Sequence, residues 1–129
     1  MSFFGLFAKK SPSSSFIMSE AKEYHEELIR MIGFGPLAQL NKGKSSDAAY
    51  DDFCDWRAFS EQLFSNFSSD LQETAKSGDI NGAMAQVEVL TIMSLAKSGL
   101  PHSVKLQVMS QVMKMLEINP NDLSKILAA

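Results

Sequence analysis

The sequence has a single cysteine, Cys54, among its 129 residues. One thiol cannot form a disulfide within the chain, and it cannot supply the thiolate set of a typical structural zinc site. The fold therefore has to be stabilised by packing. A free thiol also fits a reducing compartment, so we expect a cytoplasmic protein.

Positive charge is scarce as well. The chain carries 12 lysines and arginines against 15 acidic residues, which gives a net charge of −3. Neutralising nucleic-acid phosphates needs clustered lysine and arginine side chains, so direct nucleic-acid binding is not expected.

Long apolar runs are missing too. A membrane-spanning helix needs roughly 20 predominantly apolar residues, whereas the most apolar stretch, residues 80–96, contains Asn81, Gln86 and Glu88. The first lysines, Lys9 and Lys10, follow the N-terminal apolar residues, whereas in a secretory signal the positive charges come first. The sequence thus predicts neither a spanning helix nor an export signal.

Motifs for catalysis, metal binding and cofactor binding are also lacking. His25-Glu26-Glu27 begins like the zinc motif H-E-x-x-H, but Ile29 stands where the second histidine is needed. Cys54 lies among acidic residues rather than beside the basic groups that activate a thiol. We therefore expect no catalytic residues, no metal and no cofactor. His25 is interpreted as a solvated helix residue, and Cys54 as a half-buried packing residue.

What the sequence does contain is helical periodicity. Apolar spacing and cap signals predict main helices at residues 16–32, 47–76, 80–97 and 101–117. Because residues 65–69 are rich in serine, the second main helix is predicted either as one long helix or as two helices that meet there. Short helices are predicted at 36–40 and 122–127.

The predicted fold class is all-α, because no segment alternates convincingly as a strand does. Short connections favour a compact antiparallel bundle of four main helices plus one or two short ones. Glu88 is the only charged residue between Asp79 and Lys97, so the third helix should be the most buried. Gly33 is expected to end the first helix as a cap.

The domain prediction separates a tail, residues 1–15, from a helical domain, residues 16–129. The tail holds an apolar cluster and two lysines: Phe3, Phe4, Leu6, Phe7, Lys9 and Lys10. Three interpretations stay open: the tail packs on the bundle, tethers the protein to a membrane surface, or docks as a peptide in a partner or a second copy.

Negative charge is concentrated in residues 46–75, where seven acidic residues and one arginine give a net charge of −6. Charge of one sign attracts a partner of the opposite sign. We interpret this stretch as a docking surface for a basic partner protein, with Tyr50 or Trp56 as its anchor. Its candidate residues are Asp47, Tyr50, Asp51, Asp52, Asp55 and Trp56. Two alternatives stay open: an acidic helix that mimics nucleic-acid phosphate and blocks a DNA-binding protein, or a solvated face whose aromatic residues point into the core.

Eight methionines are many for this length. At helical spacing they indicate core, but an uncovered Met109 or Met113 would indicate a helix-binding groove or a homodimer face. The leading functional hypothesis is a small, non-enzymatic protein-binding module of the adaptor, antagonist, immunity-factor or chaperone type. A peripheral membrane protein tethered by the phenylalanine-rich tail is the alternative, and an enzyme with a dispersed site is a third.

Overall fold

The computed structural model describes residues 13–40 and 46–119. These residues form helices and no strand, which confirms the all-α fold class. The helices are α1 (Ser14–Phe34), α2 (Pro36–Leu40), α3 (Ser46–Asn66), α4 (Ser68–Lys76), α5 (Ile80–Ala96) and α6 (His102–Met115). The helix predicted at 122–127 lies outside the described residues.

Helix α1 begins two residues earlier than predicted and ends two residues later. The Ser13 side chain caps its start by accepting a hydrogen bond from the Phe16 amide at 3.2 Å. Gly33 lies inside the helix, so the prediction that it forms the cap is wrong, and Gly35 is the C-cap instead. A Cβ at Gly33 would overlap the Phe53 ring, so this glycine allows α3 to pack closely against α1.

The second predicted helix is divided in two. Helix α3 ends at Asn66 and α4 begins at Ser68, with Phe67 between them at φ −100° and ψ 12°. The break thus falls within residues 65–69, the serine-rich stretch where the sequence analysis allowed for two helices. The Phe67 ring packs against two clusters of buried apolar residues, which are described below. This packing holds the break between α3 and α4 in place.

Helix α5 is the centre of the fold, and the prediction that it is the most buried helix is confirmed by its long run of buried residues, Leu90 to Leu95. Its only charged side chain, Glu88, accepts a hydrogen bond from the Tyr24 hydroxyl of α1. Burial raises the pKa of Tyr24, and the bond to Glu88 adds to this effect. The buried Thr91 hydroxyl also has a partner, because it donates a hydrogen bond to the Val87 carbonyl at 2.8 Å.

Two apolar clusters flank α5 along its length. One joins residues 29–32 of α1 and 92–95 of α5 with Trp56 of α3 and with α2 and α6. The other joins residues 17–28 of α1 and 83–90 of α5 with α4. Leu116 packs against both clusters, so the core is continuous. Helices α1 and α3 run in opposite directions, because His25 meets Ser60 while Phe34 meets Phe53. A fully antiparallel arrangement of all four main helices stays a prediction.

The start of α5 offers a test of its cap. Asp79 is the N-cap residue, and its Oδ1 accepts a hydrogen bond from the Gly82 amide at 2.8 Å. We expect Asp79→Ala to lower the free energy of unfolding by about 1 kcal/mol, because an amide of the first turn loses its acceptor. Urea denaturation followed by circular dichroism measures the change. Asp79→Asn keeps an acceptor and should lose far less, so equal losses in the two variants would contradict this role.

Candidate functional site

A cleft of about 260 Å³ lies between α3 and the connection that joins α5 to α6. We call it the acidic cleft. Helix α3 forms one wall with Asp52, Asp55, Trp56 and Phe59, and the connection forms the other with residues 97–100. The cleft therefore combines carboxylates with aromatic side chains in one concave site.

Helical spacing brings the four α3 residues together. Positions 52, 55, 56 and 59 follow the i, i+3, i+4, i+7 pattern, so their side chains share one face of the helix. Asp55 is exposed, Asp52 and Phe59 are half-buried, and Trp56 is buried. The carboxylates thus lie nearer the solvent, and the Trp56 indole lies below them.

Trp56 is a core residue. Only 1% of its surface is exposed, and its indole N–H donates to Ser94 Oγ at 2.9 Å. The prediction that Trp56 can serve as an exposed anchor is therefore wrong. The physical reason is that α3 turns this position towards α5, where Ser94 offers a buried partner for the one polar atom of the indole. Ser94 in turn donates to the Thr91 carbonyl at 2.6 Å.

The opposite wall is shaped by two local hydrogen bonds, one back to the end of α5 and one within the connection. Ser98 Oγ donates to the Leu95 carbonyl at 2.8 Å and accepts from the Leu100 amide at 3.4 Å. A Cβ placed at Gly99 would meet nothing within 4 Å. The wall therefore has open space at Gly99.

The other predicted docking residues lie elsewhere. Tyr50 is 65% exposed, and Asp51 is also exposed, but neither lines the cleft. A hydrogen bond with the side chain of half-buried Cys54 is the main cause that raises the pKa of Tyr50. The side chain of Asp47 lies outside the described residues. The structure thus brings together Asp52, Asp55 and Trp56 out of the predicted set.

Sequence reasoning missed the wall formed by residues 97–100. In the sequence, Gly99 and Pro101 predict a turn at this place. They do not indicate which helix the turn faces. Phe59, which also lines the cleft, is not among the docking residues predicted from the sequence.

A buried polar pair lies outside the cleft. His25 is 3% exposed, so the prediction of a solvated histidine is wrong. Its Nε2 lies 2.9 Å from Ser60 Oγ, and its ring stacks on Phe64 with centroids 4.8 Å apart. Burial lowers the pKa of His25, while Glu61 and Glu26 act in the opposite direction.

Among residues 13–40 and 46–119, no group of three or more histidine, cysteine or acidic residues is placed to hold a metal ion. The described helices include none that is long and apolar enough to cross a membrane. The tail residues Phe3, Phe4, Leu6, Phe7, Lys9 and Lys10 lie outside the described part, so their role stays a prediction.

Comparison with known proteins gives no relative: no family model, no curated protein and no solved structure matches the chain.

Proposed function

We propose that the protein is a non-enzymatic helical protein-binding module that takes a basic side chain of its partner protein into the acidic cleft. The observation that carries this proposal is the position of two carboxylates, Asp52 and Asp55, beside the aromatic rings of Trp56 and Phe59. The proposed class includes adaptors, antagonists, immunity factors and chaperones. A cytoplasmic location is part of the proposal, since the free thiol of Cys54 suits a reducing compartment.

The chemistry of the cleft favours an arginine. A guanidinium group donates paired hydrogen bonds to a carboxylate, and its planar face packs on aromatic rings. Phe59 is half-buried beside the carboxylates and can provide such contact. Because Lys97 carries a positive charge on the opposite wall, a cationic side chain of the partner would bind on the α3 side of the cleft.

The charge distribution around the cleft supports the same kind of partner. Residues 46–75 carry a net charge of −6, and their only basic residue, Arg57, pairs with Glu61 at 3.4 Å. A field of one sign speeds the encounter with an oppositely charged protein and weakens as salt is added. Binding should therefore be salt-sensitive.

The test is capture of a partner by the tagged protein at low and high salt. We expect Asp55→Lys to reduce the captured amount at least tenfold, because it adds a repulsion and removes an ion pair that the bound partner would bury, and losing a buried pair costs about 2–5 kcal/mol. Glu23→Lys is the matched control, since it makes the same charge change at an exposed position of α1. Equal capture by wild type and Asp55→Lys, or equal loss in both variants, would rule out the cleft.

A second pair of variants tests the shape of the cleft. Because a Cβ at Gly99 meets open space, Gly99→Ala should bind like the wild type. Gly99→Trp adds a bulky side chain to the wall and should reduce capture without unfolding the protein. Unchanged capture by Gly99→Trp would show that the partner does not enter the cleft.

A further inference from the structure

A second concave surface, a groove of about 390 Å³, lies between α4 and α5. We call it the α4–α5 groove. Most of its lining is apolar, and the apolar residues are Phe67, Leu71, Ala85, Val89, Leu90 and Met93. The remaining lining residues are Asp70, Gln86 and Lys97. A concave apolar surface with a few polar groups is typical of a binding site.

The α4–α5 groove continues the acidic cleft along α5. Lys97, the C-cap residue of α5, lines both sites. Helix α5 and the connection after it form one wall, and the other wall is α3 in the cleft and α4 in the groove. Only Phe67 separates α3 from α4, so the two sites follow one another along the same line. We call the two sites together the seam.

The two sites are close enough for one short segment of a partner to contact both. The groove-lining residues of α5 lie at positions 85–93 and are centred on Val89, and the cleft begins at Lys97. At 1.5 Å per helical residue, these two positions are roughly 12 Å apart. An extended peptide covers this length with about four residues, and a helical one with about eight.

The charges along the seam favour a basic residue at its cleft end. Three carboxylates and one ammonium group, those of Asp52, Asp55, Asp70 and Lys97, line the seam and give it a net charge of −2. Asp52 and Asp55 both lie in the cleft, so a basic side chain is attracted there. Lys97 lies where the two sites meet and disfavours a second basic residue at that point. Asp70 is exposed, so its charge stays in water while the apolar lining remains available to an apolar side chain.

One polar atom in the wall of the groove also needs a donor. Gln86 Oε1 is buried, and it accepts no hydrogen bond from the part of the chain that the structure describes. A buried amide oxygen without a donor costs free energy. The Gln86 side chain as a whole is only half-buried, so a rotation would present this oxygen to an N–H group of a segment in the groove.

We propose that the partner contacts the seam with one linear segment, which places a basic side chain in the acidic cleft and an apolar side chain in the α4–α5 groove. The inference rests on the proposed function, because it takes the acidic cleft as the site of the basic residue. It adds a second anchor and a constant spacing between the two anchors. The apolar anchor strengthens binding in a way that salt does not screen, whereas surface charge pairs are weak and screened.

Peptide selection on the full-length chain tests the spacing. The probe is a phage-displayed library of random peptides of about 16 residues, which span roughly 12 Å in either conformation. We expect the enriched peptides to share a basic and an apolar residue at one constant separation, close to four or to eight positions. A basic residue without an apolar residue at constant separation would overturn the second anchor alone. Enriched peptides without a basic residue, or no enrichment over a blank surface, would overturn the proposed function as well.

Two variants then test the anchors separately, in titrations of one selected, fluorophore-labelled peptide followed by anisotropy. Asp55→Lys should weaken binding at least tenfold. Ala85→Glu places a charge in the apolar lining, at an exposed position, and should weaken binding at least fivefold, because the carboxylate would lose water when the peptide binds. Its negative charge attracts a basic peptide, so repulsion cannot explain this loss. Asn81→Glu makes the same charge change at an exposed position one turn earlier, outside the groove, and should bind like the wild type.

The results distinguish failure of the inference from failure of the proposed function. Weaker binding by Asp55→Lys but not by Ala85→Glu would keep the acidic cleft as the partner site and overturn the second anchor. Unchanged binding by Asp55→Lys would overturn both, since the basic anchor would be missing. Equal losses in Ala85→Glu and Asn81→Glu would mean that the groove itself is not contacted, which also contradicts the second anchor.

Discussion

Replacing Trp56 by alanine should lower the free energy of unfolding by about 3–5 kcal/mol, the usual cost of removing a large buried aromatic side chain. The indole is 1% exposed and belongs to the core cluster that also contains Ile32 of α1 and Ile92 of α5. Its removal would leave a cavity where three helices meet. A loss of this size is a large fraction of the stability of a small domain, about 5–15 kcal/mol.

The contribution of the indole hydrogen bond to stability can be measured separately from the contribution of the ring's packing. Trp56→Phe keeps most of the ring volume but removes the N–H that donates to Ser94 Oγ. Ser94 still donates to the Thr91 carbonyl, so its hydroxyl is not left without a partner. We expect Trp56→Phe to lose clearly less than Trp56→Ala, and Phe59→Ala, at a half-buried position of the same helix, to lose less as well.

Urea denaturation of the three variants, followed by circular dichroism, measures these losses. The far-ultraviolet signal reports the helices directly, so the lost tryptophan fluorescence does not matter. A loss below about 1 kcal/mol for Trp56→Ala would contradict a core role, because surface substitutions typically stay within that range.

The helices were predictable because caps and apolar spacing are local signals. Asp79 and Ile80 mark the start of α5 as the sequence predicted, and Phe67 breaks α3 from α4 inside the predicted stretch. Gly33 shows the limit of this reasoning. A glycine near a helix end indicates a cap, but here it makes room for Phe53, and a contact 20 positions away leaves no local pattern.

The candidate site was predictable only in part, for the same reason. Asp52, Asp55 and Trp56 share a helix face, so their spacing already placed them together. The wall at Lys97 and Gly99 lies more than 40 positions further along the chain, and only the packing of α3 against α5 brings it opposite the carboxylates. Side-chain burial was the other unpredictable quantity, since a tryptophan on an acidic helix suits an exposed anchor and a core position equally.

Acidification should weaken the fold through His25. The residue is buried against Phe64 and Ser60, and this burial lowers its pKa from the ordinary value of 6.5. As the pH falls below that value, the unfolded chain binds a proton at His25 while the folded chain still resists it. Protonation therefore favours unfolding, and stability falls by up to about 1.4 kcal/mol per pH unit until the folded protein also binds the proton.

The stabilising effect of neutral His25 is thus fully present above the unfolded pKa and is lost as the pH falls through the window below it. Glu61 and Glu26 act against the shift, so they limit how far this window extends. Denaturant unfolding from about pH 7.5 to about pH 5.5 should show the decline in the wild type. His25→Gln cannot bind the proton, and its stability should stay nearly flat over the same range. Parallel curves for the two proteins would mean that another group causes the decline, because the remaining titrating residues are common to both.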